Sequence, residues 1–507
     1  MIGTITIVLL SALLAYIGWR TYDQLTFFGK LGLKGPTPLP IFGNLFGFKI
    51  GVYKALQKWT KEYGKTFGIS RGARKVIISS DVDFVREIMV KQFTNFADRQ
   101  GFPLRPEETN FDLLNLKGDR WKAMRETVAL VFTKHKMQKM LPMVTECADE
   151  TVKNLKENEK KTEGVLDIHK YMCEYGIDVG SYCFFALRAT SQEDMTVLMN
   201  QANAMWIRFK TFYLPWFVIM LFPQLEPIFK YLGCSIHPHE SVDYFTQLIK
   251  GTMDSRRADP NSSKYMDFLQ LMMNANEELN SSATTINGRQ LQKRALTDKE
   301  IFAMSMSVFA GNTETSPGTL SFIFFMLAMH PEVQEKLIQE IDDVMGGGDD
   351  VTQEKVNKMT YMDMVIRESL RLYPTAASLD RVCSEDCVVK GIKIPKGTLV
   401  EIGVYAIQTD PDYWKDPFTF DPERFSAENK AKMDPMTWLA FGQGPRMCIG
   451  YRFAMVEMIV MLTRTFQKFR LEICAKTENP PTRGTRGLMT PEKGINLRLV
   501  PRQEQSL

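Results

Sequence analysis

The residues best suited to chemistry lie in FGQGPRMCIG, Phe441 to Gly450. Gly442, Gly444 and Pro445 suit a tight turn carrying a β-bulge. Gly450 and the apolar run FAMVEMIVML, Phe453 to Leu462, predict a helix that starts just after Cys448. A cysteine at a helix N-terminus beside Arg446 sits in positive potential, which favours the thiolate. A thiolate ringed by backbone N–H groups is a good metal ligand. It is a poorer fit to a catalytic nucleophile, because no histidine lies near it in sequence. The plain alternative is a buried structural cysteine in a glycine-rich turn, and the loop alone leaves that open.

The loop resembles the haem-binding signature of the cytochrome P-450 family, F-x-x-G-x-R-x-C-x-G. Phe441, Gly444, Arg446, Cys448 and Gly450 take its fixed positions, and Ala454 its usual extension. The resemblance implies haem b with Cys448 as the axial ligand to iron, and Phe441 and Arg446 against the cofactor. Thiolate ligation pushes electron density onto the iron and favours O–O cleavage.

Three further motifs follow the same family order. Glu368 and Arg371 form E-x-x-R within VIRESLRLYP and share one helix face at i,i+3. Apolar neighbours predict burial, and a buried pair needs every donor satisfied. The family pattern supplies a third member, Arg424, from the Pro422-Glu423-Arg424-Phe425 block. One glutamate facing two arginines leaves positive charge over, so backbone carbonyls are expected to take the spare donors. The trio is expected to lock the structure behind the haem. Trp121 and Arg125 match W-x-x-x-R, which the resemblance places on a haem propionate. Arg446 and Arg381 match other propionate-binding positions, and Arg99 is a further candidate.

The last motif is AGNTETS, Ala310 to Ser316. The family pattern is [AG]-G-x-[DE]-T-[ST]. Gly311, Glu314, Thr315 and Ser316 match it if Asn312 replaces the second glycine. A second register, from Ala310, puts Thr313 at the acid position and Glu314 at the threonine position. The first aligns the downstream LSF and HP landmarks without a gap. In that register Thr315 is the alcohol that hydrogen-bonds oxygen, and Glu314 relays protons behind it. Asn312 is expected to narrow the pocket or to add a polar contact to substrate. Pro317 cannot donate to the carbonyl of Thr313, so a bulge or kink is predicted there.

These motifs need a scaffold. Most of the chain has helical periodicity. Lys65 to Ser80 reads as a β-hairpin, and Val388 to Ile407 as another, turning at Pro395-Lys396-Gly397. Thr297 and Glu300 form a capping box that opens a long helix to His330, before Pro331. Asn274 to Arg294 is polar and reads as an exposed connection. The resemblance implies the mainly α haem-thiolate fold with a small β-rich portion, preceded by one transmembrane helix.

That helix is predicted from Ile2 to Trp19, an uncharged apolar run about 27 Å long as a helix. Arg20, Lys30 and Lys34 follow it, so the positive-inside rule puts the remainder in the cytoplasm. A cleaved signal peptide is the competing reading, but no basic residue precedes the run. The chain divides into a membrane anchor over 1–20, a connector stiffened by Pro36, Pro38 and Pro40 over 21–44, and a catalytic domain over 45–507. Eight scattered cysteines without a CxxC pair read as free thiols in a reducing compartment. Cys383 and Cys387, like His237 and His239, are given no metal role. With 63 basic and 59 acidic residues, bulk charge gives no reason to invoke nucleic acid.

The resemblance implies insertion of one oxygen atom from O2 into a lipophilic substrate: a xenobiotic, steroid or fatty acid. Electrons would come from NADPH through a flavoprotein reductase at the endoplasmic reticulum membrane. The alternatives are a haem-thiolate isomerase or dehydratase acting on peroxides, and a non-catalytic haem-binding protein. Retention of Glu314 and Thr315 favours oxygen activation. Thr211 to Pro223, TFYLPWFVIMLFP, is either a buried helix or a second membrane contact. Lys117, Arg120, Lys122, Lys134, Lys136 and Lys139 are candidates to meet an acidic reductase.

Overall fold

The computed structural model describes residues 2–188, 192–210, 213–281, 296–485 and 488–502. The N-terminal apolar run becomes one helix, Ile2–Lys30. Thr4–Lys30 is long and apolar enough to cross a membrane. The helix runs ten residues beyond the predicted anchor, so the predicted connector begins inside it. The reason lies in its last turns, where Arg20, Gln24 and Phe28 are buried. Gln24 Nε2 donates to the Gly72 carbonyl at 2.8 Å, and Asp23 pairs with Lys75 at 2.8 Å. Tertiary contacts thus hold these turns helical.

The strands are β1 (Thr66–Arg71), β2 (Arg74–Ser79), β3 (Val165–Asp167), β4 (Leu379–Val382), β5 (Cys387–Val389), β6 (Ile392–Ile394), β7 (Leu399–Ile402), β8 (Phe469–Glu472) and β9 (Asn496–Pro501). They form sheets of order β1-β2-β7-β4, β3-β9-β8 and β5-β6. The predicted hairpin is present as β1–β2, in register from Thr66↔Ser79 to Arg71↔Arg74. The second prediction needs correction. β5 and β6 pair with each other, but Pro395-Lys396-Gly397 leads out of that hairpin into β7 of the large sheet. All four β7 residues are buried, so it sits as a central strand between β2 and β4. Val404–Gln408 is then helical, not extended.

The long helix, Asp298–Met329, carries both arms of the predicted capping box and stops at His330. It is buried almost all round, as befits a helix apolar on every face. Pro317 does not break it, and the predicted bulge is absent. The neighbouring helix Ile168–Phe185 makes room for the ring with Gly176, where a Cβ would come 2.4 Å from Pro317 Cγ. The predicted connection over 274–294 is also partly helical. Helix Phe268–Ser281 takes its first residues, and 282–295 lie outside the described residues. Asn276 secures that helix by exchanging two hydrogen bonds with the backbone of Leu296, at 3.0 and 2.6 Å.

Within the apolar stretch over 211–223, Thr211 and Phe212 lie outside the described residues. Leu214–Leu221 forms a short helix that buries Ile219 and Leu221 and exposes Leu214. The Met220 carbonyl accepts from Ala73 N–H at 2.9 Å, and Arg20 lies 5.3 Å from the Phe222 ring. This segment therefore packs beside the docked end of the anchor helix.

Glu368 and Arg371 lie on helix Thr360–Leu372 with no exposed side-chain surface. Arg371 uses all five N–H donors. Two go to the Glu368 carboxylate at 2.7 and 2.8 Å, and three to the carbonyls of Gln408, Pro417 and Thr419. Arg424 approaches Glu368 at 3.4 Å, and the Asp421 N–H donates to the same carboxylate at 2.9 Å. The carbonyls do take the spare donors. Glu368→Ala or Arg371→Ala strands a buried charge, so each is expected to cost about 3–5 kcal/mol. Thermal melting and haem content check this; a normal melt with full haem in either variant would contradict it.

Candidate active site

The cysteine loop is shaped by its glycines. Gly442 and Gly444 have φ near +71° and +73°. A Cβ at Gly444 would lie 2.2 Å from the Met89 carbonyl oxygen, so the loop closes on that backbone only without a side chain. Cys448 N–H donates to the Phe441 carbonyl at 2.8 Å, and Met447 N–H to Gly444 at 3.0 Å. Phe441 packs on the Tyr451 ring, 4.8 Å between centroids. The turn delivers Cys448 to the start of helix Tyr451–Lys468.

Cys448 lies deep in the protein but the residue keeps accessible surface, so it borders an internal space. Burial raises the thiol pKa. The N–H groups of Gly450 and Tyr451 and the charges of Arg125 and Arg99 pull it back toward the thiolate.

Around that space the guanidinium groups of Arg99, Arg125, Arg381 and Arg446 act on one another. Arg125 shares helix Gly118–Val131 with Trp121, and Arg381 projects from β4. Arg446 donates to the carbonyls of Leu113 and Leu116 at 2.8 and 3.0 Å, and lies 4.2 Å from the Trp121 ring centroid. Desolvation, then repulsion from Arg99, pushes Arg381 down to about 9 and Arg446 to about 10. The Nε atoms of Arg99, Arg381 and Arg446 are buried without partners among the described residues. Buried cations with spare donors fit a ligand that brings carboxylates, which is what the two propionates of haem b supply.

The long helix presents a second set. Of AGNTETS, Gly311 keeps accessible surface and Thr315 part of it, while Asn312, Thr313, Glu314 and Ser316 are buried. A Cβ at Gly311 would meet nothing within 4 Å. Gly311 and Thr315, a turn apart, thus face open space. Asn312 does not face the pocket, and its expected contact with substrate is corrected here. Its Nδ2 donates to the Gly176 carbonyl at 3.0 Å and to Glu457 Oε1 at 3.2 Å. Glu457 escaped the sequence reading. Its signal was a lone charge in FAMVEMIVML, an apolar run with no solvated face.

Of the basic residues predicted to meet a reductase, Lys117, Lys122, Lys134 and Lys139 are exposed and Lys136 is half-buried. Arg120 is instead paired with Glu300, the capping residue of the long helix.

A mainly helical body with small sheets, holding a deep cysteine at a helix start beside under-satisfied arginines, is built as a haem-thiolate protein. The chain belongs to the cytochrome P450 family, whose model matches residues 33–499. It is similar to cytochrome P450 3A31 of Mesocricetus auratus, 35% identical over 503 residues covering 97% of this chain and 95% of that one. It is also similar to cytochrome P450 3A11 of Mus musculus, 35% identical with coverage of 97% and 95%. Cytochrome P450 3A18 of Rattus norvegicus is 34% identical, with coverage of 98% and 97%. The chain is an oxidoreductase, a haem-dependent monooxygenase of a family that uses haem b, a cysteine thiolate and a reductase.

Gly444→Ala combines a left-handed φ with a backbone clash, so it is expected to cost on the order of 1–3 kcal/mol and to lower haem content. Haem absorbance per protein and the melting midpoint check this; wild-type values for both would contradict it.

Proposed function

We propose that Cys448 is the axial thiolate of the haem iron, and that the protein inserts one oxygen atom from O2 into a lipophilic substrate. The observation that carries the reading is Cys448, deep yet accessible at a helix start, in a body where the buried Nε atoms of Arg99, Arg381 and Arg446 have no partner among the described residues. Trp121, Arg125, Arg381 and Arg446 would hold the propionates, with Arg99 beside them, and Phe441 would pack near the ligand. When bound, the haem supplies reduction and cleavage of O2.

The chain's own residues do the rest. Backbone N–H groups and two arginines favour the Cys448 thiolate. Gly311 leaves room beside the long helix. Thr315 has its hydroxyl on the open stripe, donating to the Gly311 carbonyl at rest, and is placed to hold a proton near oxygen. Glu314, buried beside it, is the proton relay behind that alcohol. The first register is favoured over the second because Glu314, which the second would put at the threonine position, is buried, whereas Thr315 keeps accessible surface.

The electrons would come from NADPH through a flavoprotein reductase docking on the exposed lysines near Trp121. The apolar N-terminal helix supports anchorage in the endoplasmic reticulum membrane, with the catalytic body on the cytoplasmic side. The half-exposed Leu214–Leu221 segment beside the anchor supports a second membrane contact. The substrate class is a lipophilic xenobiotic, steroid or fatty acid.

Cys448→Ala is expected to abolish the red-shifted Soret band of the reduced, CO-treated protein, while alanine at the other seven cysteines leaves it. Retention of that band in Cys448→Ala would overturn the ligand assignment. Thr315→Ala is expected to raise the hydrogen peroxide released per NADPH consumed, with substrate affinity little changed. If Thr313→Ala does so and Thr315→Ala does not, the first register is wrong by one or more positions and Glu314 loses its assigned role.

A further inference from the structure

Glu457 sits on helix Tyr451–Lys468, nine residues after Cys448, with no exposed surface. Its Oε1 accepts from Asn312 Nδ2 at 3.2 Å, and its Oε2 has no partner among the described residues. Ser316 borders the carboxyl and donates to Asn312 Oδ1 at 3.3 Å. Asn312 also donates to the Gly176 carbonyl, and Tyr175 Oη donates to the Glu457 carbonyl at 3.0 Å. One polar cluster thus joins three helices: the one that follows Cys448, the long helix, and Ile168–Phe185.

Helical geometry gives the cluster its consequence. At 3.6 residues per turn, Gly311 and Thr315 lie on one stripe of the long helix. Asn312 and Ser316 lie on the adjacent stripe, about 100° round the axis. Holding the second stripe sets the rotation of the first. The hold matters here, because Pro317 has already removed one hydrogen bond from this turn.

We propose that Glu457 is a positioning residue for oxygen activation: through Asn312 and Ser316 it fixes the rotation of the long helix that presents Gly311 and Thr315 to the internal space. The inference rests on the reading of Thr315 as the alcohol beside oxygen. Desolvation pushes the Glu457 carboxyl up to about 8, with Ser316 and Asn312 offsetting only part. Its titratable neighbours are Tyr175 and Cys183 of helix Ile168–Phe185, both raised well above their ordinary range by burial. The carboxyl is therefore a neutral acid at neutral pH, and glutamine is its near-isostere.

The test uses the full chain loaded with haem and supplied with reductase, in variants E457Q, E457L, N312A and T315A. E457L and N312A are expected to raise peroxide per NADPH several-fold while haem content and the CO band persist. E457Q is expected to keep the wild-type ratio. A second readout is independent of turnover. Because the folded pKa is raised, the stabilising contribution of Glu457 is full below the ordinary carboxylate range and is lost as pH rises toward its folded value. The melting midpoint of E457Q should therefore gain on wild type from weakly acidic pH until that value, then level off. Uncoupling in E457Q equal to E457L, or a pH-independent gap in melting, would overturn the neutral clamp. Wild-type coupling in N312A beside an uncoupled T315A would overturn the clamp alone. A coupled T315A with uncoupled N312A and E457L would overturn the Thr315 reading and leave the clamp standing. Wild-type coupling in all four would overturn both.

Discussion

Four guanidinium groups packed around one internal space are the constraint on which the rest of the structure turns. Desolvation and the charge of Arg99 lower the proton affinity of Arg125, Arg381 and Arg446, and the buried Nε atoms of Arg99, Arg381 and Arg446 have no partner among the described residues. Asp98 and Asp380 answer only part of that charge. A fold that gathers cations this way would be completed by a ligand bearing carboxylates, and two of these arginines, Arg99 and Arg125, offset part of the rise that burial gives the Cys448 thiol. Cofactor binding and ligand activation would therefore draw on one electrostatic arrangement.

That arrangement needs a rigid frame, and the buried Glu368–Arg371 pair supplies it. Arg371 donates to the Gln408 carbonyl, and Gln408 Oε1 accepts from Leu439 N–H at 2.8 Å. The Leu439 carbonyl in turn accepts from Gly442 N–H, inside the cysteine loop. Trp438 Nε1 ties the same segment to the Arg367 carbonyl at 3.2 Å. An ion pair distant in sequence from Cys448 is thus three hydrogen bonds from its loop. The pair is weak evidence of net stability, since desolvation offsets much of its attraction. Its value lies in fixing where the loop begins.

The N-terminal apolar helix is held by fixed joints as well. The anchor helix docks its last turns on the β1–β2 turn, where Gly72 accepts from Gln24 and Lys75 pairs with Asp23. The Leu214–Leu221 segment meets that turn through Met220. Anchor, hairpin and apolar segment share one corner, so the orientation of the body on a bilayer would be set by contacts and not by a loose linker.

Much of this was legible in the amino-acid order. The cysteine loop, the E-x-x-R pair, the capping box at Thr297 and the β1–β2 hairpin depend on local chemistry at short spacing, and short spacing is what a sequence displays. The arginines could be listed one by one, but their mutual repulsion could not, because Arg99, Arg125, Arg381 and Arg446 meet only in the folded chain. Asn312 shows the limit most clearly. Its motif position pointed to the pocket, yet the amide turns to Gly176 and Glu457, 136 and 145 residues away. The same holds for Pro317, accepted without a break because Gly176 on another helix leaves space, and for the anchor helix, extended to Lys30 by partners near residue 72. Residue type and spacing determined which groups could do chemistry. Which way each faced, and which charges went unanswered, was decided by helices that pack across long separations, where burial sets both direction and protonation.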